Sequence, residues 1–484
     1  MKFPETLVFQ GYAAPVRAEV DVADLEVIGA IPMELDGYFV RNSADHAYPP
    51  LFENDIFLNG DGMIHQVRIK DGRARLKTRY VQTEKVKLER EAGRALFGAY
   101  RNMFTDSPEA QGRDRNTANT SLVWHGGKLL ALKEAARPVE LDPETLATIG
   151  THDFGGKLTS DTFTAHPKID PETGEMIAFG YFTKTVADTV IEVYFIAPDG
   201  ELTRTETIEA PYPSMVHDCL LSKNYVIFVI CPMICDWERV KAGEPFFHWD
   251  DRHATWIGIM PRAAGGAAKT QWIKAPRTAM QTHTFNAWEE GNAREEGGLL
   301  HLDQFLTETG WLSQFPDINN PAAIEKPPFA FRWSIDLGDL TAEVIEQRLF
   351  PQIGEMPMID LRFATSKTDH FWFGTNNPKL GPMLAWGPKG PPFTCLGHFN
   401  ARTGDIEFYY AGPDSSPEEP CFIPRPGSTE EGDGWLACVV GRRAENRTDL
   451  VLLDARNLSA GPVAVIRMPV RIHEGFHGIW VNTP

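Results

Sequence analysis

"VIEVYFIAPDGEL", residues 190–202, is an apolar run that leads into an Asp-Gly pair and the start of a second run. Its content of Val, Ile, Phe and Tyr is typical of a strand, and Asp-Gly favours the tight turn of a β-hairpin. The same pattern, with Asp-Gly, Gly-Gly or Thr-Gly at the turn, recurs at residues 69–75, 124–132, 170–179 and 400–410. Hairpins repeated over the whole length without a strict period favour a β-propeller over a sandwich.

Helical patterns are scarce in this sequence. The two main candidates are "VKLEREAGRALFGAYRN", residues 86–102, and "NPAAIEKPP", residues 320–328. No segment has the composition of a flexible linker. We therefore predict a single all-β domain over residues 1–484, in which loops and short helices are inserted as a cap over one face.

The charge of the chain argues against nucleic acid as a partner. Lys and Arg number 47 against 66 Asp and Glu, which gives a net charge of −19, and no long basic cluster appears. Phosphate binding requires local positive charge that displaces counterions. Nucleic acid is therefore a poor candidate for a partner.

The apolar segments and the cysteines indicate a cytoplasmic protein. The first residues, "MKFPETLVFQGYAAP", lack the apolar run of a signal peptide. The longest apolar run, residues 225–235, is far shorter than the roughly 20 residues that span a bilayer, so no transmembrane segment is expected. The six cysteines form no CxxC pair and are predicted to be reduced and mostly buried.

Four of the fourteen histidines stand next to apolar segments at predicted strand ends: His166, His217, His283 and His477. A propeller brings such strand ends to its central axis, whereas a lone histidine is more often structural. A helical metal pair with His473, four residues before His477, is disfavoured because Gly475 and Gly478 each cost roughly 1 kcal/mol in a helix. His473 is therefore interpreted as a neighbour of the site.

Several short motifs, in order from about residue 30 to the C-terminus, resemble those of the carotenoid cleavage oxygenase family. They include "FLNGDGMIHQV", "LKEAARP", "AHPK", "MVHDC", "THTFNAWEEG", "GEMPMID" and "EGFHGIW". The resemblance implies a seven-bladed propeller that carries a non-haem Fe(II). Its implied ligands are His166, His217, His283 and His477. Imidazole suits zinc equally well, so the choice of iron depends on the family.

The resemblance also implies three carboxylates behind the histidines: Glu134, Glu355 and Glu419. A ligating histidine needs its other ring nitrogen held, usually by a carboxylate that fixes the tautomer. Four neutral imidazoles around an octahedral metal leave two positions open, and O₂ can take one of them.

Tyr100 and Lys133 match a polar pair that grips the 4-hydroxyl group of the substrate in stilbene-cleaving members. The resemblance therefore implies cleavage of the central C=C bond of a small phenolic stilbene by O₂ into two aromatic aldehydes. Burial would lower the pKa of Lys133 and allow it to accept the phenolic proton. Because neighbours in a regular strand point to opposite faces, Lys133 and Glu134 can serve one site only at a bulge or a strand end.

Further pocket residues are implied by the same resemblance. Leu58 lies where stilbene-cleaving relatives often carry an aromatic, with Phe57 next to it, and Thr282 is expected to line the cavity. Thr120 matches a position beside the metal, with an ordinary strand threonine as an equal alternative. Asp61, in "NGDGM", is predicted to be a turn residue rather than a catalytic acid.

Three other functions compete with stilbene cleavage. An apocarotenoid or carotenoid oxygenase would tolerate loss of Lys133, a propeller that serves only as a binding scaffold would bind no iron, and a zinc hydrolase would hold another metal. The oligomeric state is open at this stage, with a homodimer as one option.

Overall fold

The computed structural model describes residues 2–291, 298–310, 315–320, 326–385, 387, 390 and 392–483. Seven sheets of four or five strands contain nearly all of the strands in these residues. Mostly short connections join the strands within each sheet, as the repeated hairpin pattern predicts. The hairpin pattern predicted a propeller and the family resemblance implied seven blades, and this architecture of seven sheets confirms both.

Two sheets join the two ends of the chain. In spatial order, the first contains Asp21–Val22, Arg73–Tyr80, Asp61–Lys70, Gly37–Asp45 and Gly475–Asn482. The second contains Glu26–Gly29, Pro462–Arg467, Arg447–Asp454, Gly434–Arg442 and Ser415–Pro424. Antiparallel pairing of an N-terminal with a C-terminal strand in both sheets ties the ends of the chain together.

The other blades follow one another along the chain. Their strands are Ser121–His125, Lys128–Leu132, Val139–Leu141 and Thr148–Thr151; Lys168–Ile169, Met176–Tyr181, Val190–Ile196 and Leu202–Glu209; Cys219–Leu221, Tyr225–Ile230, Trp256–Pro261 and Gln271–Lys274; Met280–Glu290, Leu299–Thr307, Phe329–Asp336 and Ile345–Ile353; and Glu355–Met358, His370–Thr375, Cys395–Asn400 and Ile406–Tyr410. A two-stranded sheet pairs Met233–Ile234 with His248–Trp249.

Two α-helices occur among the described residues, α1 at Glu84–Ala92 and α2 at Trp237–Lys241. The Thr83 side chain caps the start of α1, and Gly93, with φ of 67°, ends it. The helix predicted within residues 86–102 is therefore confirmed only as far as Ala92. Most of the second candidate, residues 321–325, lies outside the described residues.

Short 3-10 helices complete the regular structure. They lie at Gly11–Ala13, Phe57–Asn59, Met103–Thr105, Pro108–Ala110, Ala267–Lys269, Leu361–Phe363 and Leu458–Ala460. In the part of the chain that the structure describes, none of the helices is long and apolar enough to cross a membrane.

Two compact units can be distinguished. Unit 1 consists of Met1–His152, Trp372–His398 and Ile406–Pro484, and unit 2 consists of Asp153–Phe371 and Phe399–Asp405. In unit 1, Leu76 and Ile69 pack in one core with Leu450 and Ile466 from the other terminal sheet. In unit 2, the rings of Phe179 and Phe228 meet edge to face between adjacent blades. The single domain over residues 1–484 stays a prediction.

Candidate active site

Unit 2 contains a cluster of three histidines, which we call the histidine triad: His166, His217 and His283. One ring nitrogen of each lies within 4.8 Å of those of the other two. His217 Nε2 lies 3.1 Å from His283 Nε2. The structure thus brings together three of the four histidines that the sequence singled out.

The triad residues come from three successive blades. His166 lies two residues before the first strand of its blade, Lys168–Ile169. His217 likewise lies two residues before the first strand of the next blade, Cys219–Leu221. His283 lies in Met280–Glu290, where the pairing register shifts between Gln281 and Thr284. Such an irregularity re-aims a side chain, which is a common use of bulges near active sites.

A carboxylate holds one triad residue from behind. Glu355 Oε2 lies 2.7 Å from His283 Nδ1. Burial would raise the pKa of Glu355, but His283 and hydrogen bonds from its neighbours hold it below its ordinary value. An ionised Glu355 accepts the Nδ1 proton and leaves the Nε2 lone pair of His283 directed at the other two rings. The donor set therefore fits a first-row transition metal.

His477 repeats this arrangement within unit 1. Its Nδ1 lies 2.7 Å from Glu419 Oε1, and the Gly478 amide donates to the other Glu419 oxygen at 2.8 Å. The backbone amide of His477 donates to the carbonyl oxygen of Thr120 at 3.3 Å. Glu355 and Glu419 thus each contact a histidine that was predicted as a ligand, and Thr120 lies beside the second of them.

Neighbours that the sequence did not single out support the segment before His477. Glu418 Oε2 accepts hydrogen bonds from the buried Arg41 guanidinium at 2.5 Å and from the Gly475 amide at 2.8 Å. A side chain on Gly475 would overlap the Arg41 guanidinium, so glycine permits this close approach. Glu418 and Glu419 both reach the segment because their strand carries a register shift between Pro417 and Pro420.

His473 has a different role from His477. Its Nε2 lies 3.0 Å from the carbonyl oxygen of Ala13, and its Nδ1 lies 3.1 Å from that of Glu474. Both ring nitrogens therefore contact backbone, as expected of a structural neighbour that anchors the N-terminal segment.

Tyr100 and Lys133 are both buried in unit 1 and lie side by side. Lys133 Nζ is 4.9 Å from the centre of the Tyr100 ring and donates to the Leu58 carbonyl oxygen at 3.2 Å. The strand Lys128–Leu132 ends just before Lys133, and a turn follows in which the Ala136 amide donates to the Lys133 carbonyl. The strand end that the sequence required for Lys133 and Glu134 is therefore present.

The surroundings shift the pKa values of the pair in opposite directions. Burial, followed by the positive charge of Arg101, lowers the pKa of Lys133 to about 7, against an opposing effect of Glu134. Burial also raises the pKa of Tyr100, and Glu134 adds to this rise. Near neutral pH, Tyr100 therefore keeps its proton, whereas Lys133 can release or accept one.

Arg101 is a residue of this region that sequence reasoning missed. Its Nη1 lies 3.4 Å from Glu134 Oε1, and its backbone has φ of 55°. Its position next to Tyr100 was the available signal. A contact between Glu134 and a histidine stays a prediction.

Leu58 contributes its backbone to this region. Its carbonyl oxygen accepts hydrogen bonds from Lys133 and, at 3.0 Å, from Asn119 Nδ2. Phe57, the neighbour of Leu58, packs against Phe476 with ring centres 5.8 Å apart. The Leu58 loop is thus held by Asn119, which the sequence analysis did not identify.

Thr282 is completely buried behind His283. Its hydroxyl lies 3.4 Å from the Phe305 carbonyl oxygen and also supports Glu355. In this position the Thr282 side chain makes contacts within the protein. Its role in lining the pocket stays a prediction without structural support.

The prediction of a turn at Asp61 is wrong. Asp61 is buried and begins the strand Asp61–Lys70, where its carboxylate accepts from Lys85 Nζ at 2.6 Å and from the Ala47 amide at 3.0 Å. Lys85, from α1, supplies the charge that makes burial of the carboxylate tolerable. Lys85 also contacts Glu89 at 2.9 Å.

Glu89 connects α1 to the loop that carries Tyr100. Its Oε1 accepts hydrogen bonds from the backbone amides of Leu96 at 2.9 Å and Phe97 at 3.2 Å. The next amide groups, of Gly98 and Ala99, donate to side chains of a following loop. Side chains thus fix the backbone of this loop just before Tyr100.

Comparisons with known proteins agree with these features. A family model described as "Retinal pigment epithelial membrane protein" matches residues 13–482. The chain is 40% identical to lignostilbene-alpha,beta-dioxygenase isozyme III of Sphingomonas paucimobilis, over 99% of this chain and 98% of that protein. It is 38% identical to isoeugenol monooxygenase of Pseudomonas nitroreducens, over 98% of both chains.

A solved structure shows the same fold over the full length. The crystal structure of Pseudomonas brassicacearum lignostilbene dioxygenase superposes with a TM-score of 0.92, at 36% identity and with 100% of both chains covered. These matches extend over all seven blades and over both of the compact units. The chain is therefore an oxygenase that belongs to the carotenoid cleavage oxygenase family.

Proposed function

We propose that this oxygenase uses Fe(II) and O₂ to cleave the central C=C bond of 4-hydroxystilbenes into two aromatic aldehydes. The observation that carries the substrate class is the buried Lys133 beside Tyr100, with a pKa of about 7. Burial of a lysine whose amine is bound to a backbone carbonyl oxygen is costly, so its presence indicates a function. Relatives named for lignostilbene cleavage support the same class.

The histidine triad would hold the iron, and the resemblance adds His477 as the fourth ligand. Glu355 and Glu419 would keep the Nε2 lone pairs of His283 and His477 available. Glu134 is proposed to serve a third histidine in the same way. When bound, the iron would activate O₂ for attack on the alkene.

Tyr100 and Lys133 would bind the phenol end of the substrate. Neutral Lys133 accepts the phenolic proton, and the Tyr100 hydroxyl, which keeps its own proton, donates to the resulting phenolate. The phenolate is conjugated to the central double bond and pushes electron density onto it. The alkene thereby becomes a better reductant toward O₂, and both oxygen atoms end in the two aldehydes.

A 4-hydroxyphenylpropene is a second candidate substrate. The identity to isoeugenol monooxygenase is nearly as high as that to the lignostilbene enzyme. The Tyr100–Lys133 pair would bind only the phenol end of the substrate, which both candidate substrates share. Leu58, in place of an aromatic, is compatible with a smaller group at the other end.

The wider setting of the enzyme is also part of this proposal. All six cysteines are free and buried, which supports a reducing compartment such as the cytoplasm. A homodimer is proposed as the assembly, and the substrates are O₂ and one small phenol.

The decisive experiment is anaerobic reconstitution with Fe(II), followed by O₂ uptake and product analysis. A 4-hydroxystilbene, its 4-methoxy analogue and isoeugenol should be compared side by side. Cleavage of the free phenol but not of the methoxy compound supports the proposal. The cleavage rate of the stilbene relative to that of isoeugenol shows which of the two candidate substrates the enzyme prefers. Cleavage of neither stilbene by an iron-loaded enzyme would overturn the stilbene assignment and direct the search to apocarotenoids.

A further inference from the structure

Three polar residues form a closed cluster directly behind the histidine triad. We call Lys168, Asp218 and Thr284 the clasp. Each follows a triad histidine in the chain by one or two residues: Lys168 follows His166, Asp218 follows His217, and Thr284 follows His283. The clasp therefore connects the same three segments of the chain that carry the triad.

Every pair within the clasp is in hydrogen-bond contact. Asp218 Oδ1 lies 2.8 Å from Lys168 Nζ, and Asp218 Oδ2 accepts from the Thr284 hydroxyl at 2.8 Å and from its amide at 3.0 Å. Lys168 Nζ also lies 3.0 Å from the Thr284 hydroxyl. The Cys219 amide donates to Asp218 Oδ1 at 2.7 Å.

The burial of the clasp makes its charge balance important. Asp218 is 2% exposed and Thr284 is 8% exposed, whereas the Lys168 side chain is about a quarter exposed. An unpaired carboxylate at this depth would be strongly destabilising, and Lys168 compensates it. The hydrogen bonds to two backbone amides fix the position of the carboxylate relative to two of the blades.

We propose that the clasp is a positioning cluster that sets the spacing of the histidine triad and thereby its affinity for a transition metal. This inference rests on the proposed function, in which the triad holds iron. A metal site loses affinity when its ligands have to be brought together on binding. Because the clasp ties together residues one or two positions from all three ligands, it lowers that cost before the metal arrives.

The same bonds could instead serve only the stability of the fold, and a matched control separates the two roles. Asp303 is likewise completely buried in unit 2 and is paired with Arg332 at 2.7 and 2.8 Å. Asp303→Asn therefore removes a buried carboxylate charge in the same unit outside the clasp. Asp218→Asn removes the charge within the clasp with the same change in shape.

The test is titration of each purified variant with Co(II), with the ligand-field absorption of the bound metal as the readout. We expect about 10- to 100-fold weaker Co(II) binding and an altered spectrum for Asp218→Asn, the range that is typical when outer residues that orient metal ligands are replaced. We expect wild-type affinity and spectrum for Asp303→Asn, even though both variants unfold at lower temperature.

A second variant keeps the test decisive if Asp218→Asn fails to fold. Thr284→Val removes the hydroxyl contacts but leaves the pair of Lys168 and Asp218, and it should also weaken Co(II) binding and shift the spectrum. Wild-type Co(II) affinity and spectrum in the variants that fold would overturn the positioning role. Failure of the wild-type chain to bind Co(II) or Fe(II) would instead overturn the proposed metal site itself, and the inference with it.

Discussion

Lys133 Nζ lies 4.9 Å from the centre of the Tyr100 ring and is tied to the Leu58 carbonyl oxygen at 3.2 Å. This geometry places the buried amine of Lys133 beside the ring of the buried Tyr100 phenol. The carbonyl contact orients the amine, while burial and the charge of Arg101 lower the pKa of Lys133 to about 7, which allows proton transfer near neutral pH.

The first prediction concerns removal of this amine. Lys133→Met should lower kcat/KM for a 4-hydroxystilbene by about 100-fold or more, which is a typical contribution of a positioned acid or base. The iron content should not change, because Lys133 is not one of the proposed ligands and its amine is bound to the Leu58 carbonyl oxygen. Steady-state kinetics and metal analysis would measure both quantities.

Lys128→Met is a suitable control for this prediction. Lys128 begins the strand that Lys133 follows, but it is partly exposed and paired with Glu140 at 2.6 Å. It should retain full activity. Retention of activity by Lys133→Met as well would instead show that this lysine does not take up the phenolic proton.

The pH dependence of the reaction follows from the same lysine. Since neutral Lys133 accepts the phenolic proton, kcat/KM should rise with pH through about 7. Arg101 is the charge that lowers this pKa most, Arg115 and Lys85 lower it by less, and Glu134 opposes them. Arg101→Gln should therefore move the midpoint to higher pH, and a midpoint that does not move would contradict this role of the lysine.

The lowered lysine pKa also predicts how stability changes with pH. Between about pH 7 and the ordinary lysine pKa, the unfolded chain binds more protons at this residue than the folded chain. The contribution of Lys133 to the free energy of unfolding therefore increases as pH rises through that interval. Thermal unfolding should show Lys133→Met to be more stable than the wild type at pH 6, with a difference that shrinks toward pH 10.

Much of the fold and part of the site could be predicted from the sequence, because those features depend on local pattern. Turn pairs between short apolar runs identify hairpins, and histidines next to such runs identify strand ends. His166, His217 and His283 were singled out in this way, and the structure brings their ring nitrogens within 4.8 Å.

The remaining features depend on contacts between residues far apart in the chain. The Arg41–Glu418 pair joins residues separated by 377 positions, and no local pattern marks either of them. Asp61 was misassigned for the same reason, since its partner Lys85 lies in another element. The position of Asp218 near the site could have been predicted from the sequence, because this carboxylate directly follows a candidate ligand in "MVHDC".

Removal of a carboxylate behind a proposed ligand should weaken metal binding. Glu419→Gln leaves a neutral amide opposite His477 Nδ1, which no longer fixes the tautomer by charge. Fe(II) affinity should fall by about 10- to 100-fold, with a parallel loss of activity at limiting iron. Equilibrium dialysis against Fe(II) under anaerobic conditions would measure the change.

Glu407→Gln provides the matched control for this loss. Glu407 Oε1 lies 3.0 Å from His398 Nδ1, so the same chemical pair occurs on blade strands outside the proposed ligand set. Its replacement should leave the iron content unchanged. Equal iron affinity in the Glu419 and Glu407 variants would argue against Glu419 as a partner of a ligand.

The final prediction tests the support beneath His477. Gly475→Ala would place a methyl group against the Arg41 guanidinium, which is buried and already bonded to Glu418 and to the His473 carbonyl oxygen. Overpacking of this kind costs about 1–3 kcal/mol, and Arg41 has little room to move. Because the strained segment leads directly to His477, the variant should lose both thermal stability and iron affinity. An Ala variant with unchanged iron affinity despite lower stability would show that the Arg41–Glu418 contact supports the fold without positioning His477.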